Sequence, residues 1–105
     1  MPKIEIIDAK GTRNNIEALV GKTLMENAVK NSIIGIHAYC AGICSCTSCH
    51  VYIDVAFEKV IGIPRKKELR LLNQLKNTRS NSRLSCQIKI TEEFEGLSFE
   101  VAIYS

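Results

Sequence analysis

The sequence predicts an α+β fold in which a helix packs on one face of a small sheet and a cysteine-bearing loop carries the function. Three observations predict it. Short period-two runs of apolar residues alternate with turn residues, a helix-start signature stands at Thr23 to Glu26, and the stretch from Gly35 to His50 has no sustained period but is rich in Cys, Gly, Ser and Thr. At 105 residues, 46% hydrophobic and 24% charged, the chain is the size of one domain, spanning 1–105, with no room for a second core. A multidomain enzyme is excluded, and so is a disordered or collagen-like chain, given a net charge of only +3, six Gly and two Pro.

Taken in order, Lys3-Ile4-Glu5-Ile6 alternates and ends at Asp8-Ala9-Lys10-Gly11, a strand followed by a turn, and Ile16 to Val20 is its expected hairpin partner. Gly21-Lys22 breaks the pattern. Thr23-Leu24-Met25-Glu26 then reads as a capping box, in which Thr23 and Glu26 each satisfy a backbone N–H at the start of a helix. Leu24, Ala28, Met25 and Val29 supply its apolar side, and Asn31-Ser32 weakens its end. After the cysteine-rich loop, Val51, Ile53 and Val55 alternate with Tyr52 and Asp54 as a strand. Pro64 opens a second helical segment running to about Lys76. Leu69, Leu71, Leu72 and Leu75 share one arc of it, and Lys66, Lys67, Arg70, Asn73 and Gln74 share the opposite one. Glu68 falls within the apolar arc, which requires the first turn to be partly exposed. Gln87 to Thr91 and Phe99 to Ile103 read as two more strands, the latter with Phe99, Val101 and Ile103 on one side. No internal repeat or linker interrupts the series.

No stretch approaches the roughly 20 apolar residues that cross a bilayer, and Lys3 and Glu5 place charge where a signal peptide needs an apolar run. A cytoplasmic protein without a membrane segment is expected. In that compartment an odd number of cysteines, five here, points to reduced thiols that bind metal or carry out redox chemistry. Cys40, Cys46 and Cys49 lie within ten residues of the loop and Cys86 follows far downstream, giving C-x5-C-x2-C-x36-C. A loop suits four converging thiolates, because a cluster needs sulfurs from several directions and backbone N–H groups aimed at them. Gly42 and the small residues Ala41, Ser45, Thr47 and Ser48 let the chain wrap closely. Four cysteines can also hold zinc, but structural zinc sites usually present two close pairs, whereas here three ligands crowd one loop and the fourth stands alone. That layout points to a two-iron, two-sulfide centre. The plant-type spacing C-x4-C-x2-C would need Cys at position 41, where this chain has Ala41.

The run Cys40-Ala41-Gly42-Ile43-Cys44-Ser45-Cys46-Thr47-Ser48-Cys49-His50, with Arg83-Leu84-Ser85-Cys86-Gln87-Ile88 later, resembles the adrenodoxin-type ferredoxins over nearly the whole chain. The resemblance implies a β-grasp fold with a small mixed sheet, and one [2Fe-2S] cluster per chain on Cys40, Cys46, Cys49 and Cys86. It also implies one-electron transfer between protein partners. Cys44 is surplus to four ligands and reads as a small buried hydrophobe. The arrangement C-x3-C-x-C-x2-C-H is similar to that of bacterial ferredoxins of iron-sulfur cluster assembly. The resemblance makes His50 a hydrogen-bonding bridge from the cluster loop to the segment near the second helix, and His37 is most simply a loop residue near Cys40. Neither is expected to be a ligand, since Rieske-type centres need two His on one iron.

Four thiolates, two ferric ions and two sulfides carry −2, so the formal +3 of the chain falls to about +1 oxidised and about 0 reduced. The charge is uneven. Arg65, Lys66, Lys67, Arg70, Lys76, Arg79 and Arg83 face only Glu68 between positions 65 and 83. Adrenodoxin-type proteins typically carry acids on this helix for docking, and Lys66, Lys67 and Arg70 stand about where those acids would be. Either the partners offer acidic docking sites or docking uses another face. Nucleic acid is not the expected partner, since no aromatics interleave the patch and the isoelectric point, about 8.6, is moderate.

The expected function is that of a monomeric electron carrier, reduced by a flavin-containing ferredoxin reductase. No acid/base pair, activated nucleophile or phosphate loop suggests intrinsic catalysis. Cluster assembly proteins are the favoured acceptor, on the strength of Cys44 and the chain's ending at Ser105, with a haem-thiolate monooxygenase as the alternative. A reading of a different class, a structural zinc or redox-sensing module, predicts a colourless protein.

Overall fold

The computed structural model describes residues 1–33, 50–54, 58–74 and 78–102. β1 (Lys3–Ile7) and β2 (Arg13–Glu17) form an antiparallel hairpin with Ile4 opposite Ile16. The return strand begins earlier than the apolar run from Ile16 implies, because the turn closes early. The Asp8 N–H donates to Thr12 O and the Gly11 N–H to Asp8 O, both at 2.9 Å, and Gly11 supplies φ 83°. Asp8 Oδ1 accepts the N–H groups of Lys10 and Thr12. Burial pushes the Asp8 carboxyl up, but these bonds and one from Asn14 outweigh it and hold the group below its ordinary value.

α1 (Leu24–Lys30) carries both arms of the capping box: Glu26 N–H donates to Thr23 Oγ1 at 3.0 Å and Thr23 N–H to Glu26 Oε1 at 3.1 Å. Leu24, Met25 and Ala28 are buried, while Val29, expected on the apolar side, is exposed because the inward position of that turn belongs to Asn27. Asn27 bonds Leu19 N–H through Oδ1 and the carbonyls of Thr23 and Leu19 through Nδ2, so a polar side chain sits satisfied in the core. Thr23→Ala is expected to destabilise the fold by about 1 kcal/mol, read as faster loss of colour than wild type in fixed guanidinium, with an unchanged absorption spectrum before denaturant is added.

β3 (His50–Ile53), β4 (Ser82–Leu84) and β5 (Ser98–Val101) complete a five-stranded sheet of order β2-β1-β5-β3-β4. β1 and β5 run parallel and the other pairs antiparallel, so the sheet is mixed. Ile4, Ile6, Val51, Phe99 and Val101 from its strands meet Leu24 and Ala28 of α1 and Phe94 in one core. Val55 and Ile103 lie outside the described residues.

Two expectations are corrected. Gln87–Thr91 is not a strand of the sheet: Ser85–Gln87 is a 3-10 turn, and the following residues pair with the approach to α1, through Lys89 opposite Thr23, Leu24 N–H to Ile88 O (2.7 Å) and Ile90 N–H to Lys22 O (2.9 Å). The alternation of Ile88 and Ile90 reflects burial of both side chains without sheet membership. A short helix that the sequence did not announce, α2 (Glu58–Ile61), precedes Pro64, and the helical segment expected from Pro64 is α3 (Lys66–Asn73), with residues 75–77 outside the described residues. On α3 the buried stripe is Glu68 and Leu72, four residues apart, with Leu69 exposed and Leu71 half-buried. Glu68 is 2% exposed, contrary to the expectation of an exposed first turn, because Arg83 meets its carboxylate inside the fold.

Candidate metal centre

Of the expected ligands, Cys86 is the one among the described residues; Cys40, Cys46 and Cys49 lie outside them, as do His37, Gly42 and Cys44. Cys86 is buried in the 3-10 turn that follows β4, where Ile88 N–H donates to Ser85 O and Gln87 Nε2 approaches Cys86 Sγ at 3.6 Å. β4 pairs with β3 so that His50 lies opposite Leu84. The residue after Cys49 is thereby set across from the residue two before Cys86, which joins the far end of the cysteine loop to the strand leading into the fourth thiol.

His50 is buried, with Nε2 at 2.8 Å from Ser82 Oγ, and Ser82 Oγ also accepts the Arg79 N–H at 2.8 Å. Its ring meets Tyr52 edge-on at 5.0 Å, and the Arg79 guanidinium lies 4.1 Å over the Tyr52 ring. Burial, reinforced by the charge of Arg79, lowers the His50 pKa from its ordinary value, which favours a neutral ring. His50 therefore ties β3 to Ser82, the first residue of β4.

Arg83 is the second tie. Its Nε and Nη2 donate to the two carboxylate oxygens of Glu68 at 2.7 and 3.2 Å, and its Nη1 donates to Gly62 O at 2.9 Å. Glu68 Oε2 also accepts Leu84 N–H at 2.8 Å. One carboxylate on α3 thus holds β4 two residues before Cys86. Arg83 consequently does not belong to the surface patch in which the sequence placed it; Lys66, Lys67 and Arg70 are exposed along α3, as is Arg65 at its start. Beside them opens a cleft of about 390 Å³ whose described walls include Ile61, Ile63, Arg65, Glu68, Arg83, Cys86 and Lys89.

Sequence reasoning missed Ser82, Ser85 and the Glu68–Arg83 pair. A charge in an apolar arc was the available signal, since a buried carboxylate requires a partner. The residues fit an anionic sulfur cluster. Nδ1 of His50 and Oγ of Ser85 are buried polar atoms without a hydrogen-bond partner among the described residues, and each adjoins an expected ligand, Cys49 or Cys86. A buried polar group left so costs about 1–3 kcal/mol, and cluster sulfurs are acceptors for N–H and O–H donors.

The model of the 2Fe-2S iron-sulfur cluster binding domain matches residues 7–91. The 2Fe-2S ferredoxin CtmE of Castellaniella defragrans is 38% identical over 97 residues, covering 92% of this chain and 91% of its own. Putidaredoxin of Pseudomonas putida is 35% identical over 102 residues, covering 96% and 95%. Among solved structures, a putidaredoxin mutant aligns at a TM-score of 0.88 with 35% identity and 94% of each chain covered. The covalent putidaredoxin reductase–putidaredoxin complex aligns at 0.85 with 34% identity, covering 97% and 99%. An ISC-like [2Fe-2S] ferredoxin from Pseudomonas putida aligns at 0.80 over 100% and 95%, but at 23% identity it speaks to the fold alone.

Proposed function

The chain belongs to the 2Fe-2S iron-sulfur cluster binding domain family, among ferredoxins of the adrenodoxin and putidaredoxin type, and from that premise we propose that it takes single electrons from a flavoprotein reductase and delivers them to a haem-thiolate monooxygenase. It is an electron-transfer protein with one [2Fe-2S] cluster. The cluster, when bound, supplies a store for one electron. Cys40, Cys46, Cys49 and Cys86 hold it, Gly42 and Cys44 belong to the loop around it, and His50 anchors that loop to Ser82. Glu68 and Arg83 fix the strand before Cys86, and Lys66, Lys67 and Arg70 meet the protein partners. The carrier acts as a cytoplasmic monomer; no helix among the described residues is long and apolar enough to cross a membrane.

The observation that carries the acceptor is the set of relatives. Putidaredoxin, terpredoxin and rhodocoxin match over more than nine-tenths of the chain at above 30% identity, and putidaredoxin has been solved in a covalent complex with putidaredoxin reductase. Delivery to cluster assembly, the acceptor first expected from Cys44, has weaker support, because the ISC-like structure shares only the fold.

The first measurement is a visible spectrum of anaerobically purified protein before and after dithionite, with iron, sulfide and zinc counted on the same sample. Red-brown protein that bleaches is expected; a colourless protein with one zinc overturns the carrier reading. The acceptor is tested by mixing the reduced protein anaerobically, under carbon monoxide, with a haem-thiolate monooxygenase from the same genome. Formation of the carbon monoxide complex of ferrous haem supports the proposal. Haem left ferric, with cluster synthesis on a scaffold protein accelerated instead, returns the acceptor to the assembly machinery.

A further inference from the structure

The charges of this chain are segregated. Residues 59–91 hold nine Lys or Arg and one acid, a net of +8, whereas the remaining residues hold five and ten, a net of −5, which together restore the +3 of the whole. The structure sharpens the contrast, because the one acid, Glu68, is buried and neutralised by Arg83 and so offsets nothing at the surface. Lys59, Arg65, Lys66, Lys67, Arg70, Arg79 and Lys89 are all exposed, and the described part of this segment exposes no acid. The acids that follow sit elsewhere: Glu95 receives the Lys3 N–H and Glu92 lies 4.0 Å from the N-terminal amino group, at the start of β1.

The cationic surface converges on Cys86. Arg65 and Lys89 border the cleft that Cys86 also lines, and Ile63 stands on it 84% exposed. An exposed apolar side chain sharing a cleft with two exposed cations and a buried thiol has the composition of a docking patch, since a desolvated centre supplies contact while rim charges select the partner and orient the encounter. A cluster charge of −2 would leave this half of the molecule positive.

We propose that the exposed face of α3 and the mouth of the Cys86 cleft form a docking surface for an acidic protein patch, Asp and Glu side chains around a small apolar contact that receives Ile63. The proposal rests on the electron-carrier reading and specifies the partner: reductase and acceptor both present carboxylates here. Docking acids on this helix to a basic partner, the pose expected from adrenodoxin-type proteins, is excluded by charge.

The test uses isotope-labelled holoprotein titrated at low ionic strength with octaglutamate, octalysine and an eight-nucleotide DNA strand, following amide resonances, with the visible spectrum and dithionite bleaching recorded on the same sample. Octaglutamate is expected to shift residues of α3 and the 87–91 segment. Its affinity should fall about tenfold in Lys66→Glu/Lys67→Glu/Arg70→Glu, less in the corresponding triple Gln variant, and again in high salt, because reversal replaces three attractions by three repulsions, neutralisation only removes the attractions, and salt screens both. Shifts scattered over the molecule, equal binding by the reversed variant, or tighter binding of the DNA strand would overturn the proposal. A sample that fails to bleach sinks the carrier reading instead, whatever the peptides do.

Discussion

Cys86→Ala protein emerges colourless from a purification that yields red-brown wild type, with bound iron reduced to background. The thiol is buried at 4% exposure, and truncating it to Ala removes a single sulfur from the packing, so a total loss of colour reports a lost ligand and not a collapsed core. Ala is the informative replacement, because a Ser hydroxyl could remain as an oxygen donor, although soft thiolates are what iron-sulfur centres select. Cys44→Ser is expected to keep two irons, two sulfides and its spectrum, since the proposed ligand set, Cys40, Cys46, Cys49 and Cys86 in the C-x5-C-x2-C-x36-C spacing, does not include it. Loss of colour in Cys44→Ser, or retention of iron in Cys86→Ala, would reassign the fourth ligand. Because metal binding and folding are linked, circular dichroism on both variants distinguishes loss of the cluster from loss of the fold.

The parts of this molecule that could be read from sequence are the local ones. The capping box at Thr23 and Glu26 involves four consecutive residues, and the hairpin turn at Asp8 closes within five, so propensity and spacing contain all the physics that forms them. The cysteine spacing was legible for the same reason, as chemistry written in chain positions. What escaped depends on residues far apart. β4 buries all three of its residues and so shows no alternation, and its pairing is decided by β3, some thirty positions earlier. Ile88 and Ile90 alternate as a strand would, but alternation reports only that one side is buried, and the backbone partner turned out to be the segment entering α1. Glu68 and Arg83 look like surface charges until they are seen to satisfy each other across 15 positions. The acceptor is less legible still, because it is a property of another protein's surface.

Glu68→Ala should weaken the fold by about 3–5 kcal/mol, a large share of the roughly 5–15 kcal/mol that holds a domain together. The side chains of Glu68 and Arg83 are 3% and 6% exposed, so removing the carboxylate strands a guanidinium in the interior with Gly62 O as its remaining acceptor among the described residues and takes away the acceptor of the Leu84 N–H. Glu68→Leu/Arg83→Leu deletes both charges and should cost less than either single truncation, the pattern expected when an unpaired charge is worse than no charge at all. Unfolding that releases a cluster is irreversible, so the useful readout is the rate at which colour is lost in fixed guanidinium. Glu68→Ala is expected to bleach at least about tenfold faster than wild type, with the double variant between them. High salt should not reproduce the effect in the wild type, because ions screen an interior pair poorly. A wild-type bleaching rate in Glu68→Ala would mean that α3 is held to β4 by its Leu72 packing alone. The consequence reaches function, since the same carboxylate sets where the exposed cations of α3 stand relative to Cys86, and a helix released from β4 would present its charges without a fixed path to the thiol.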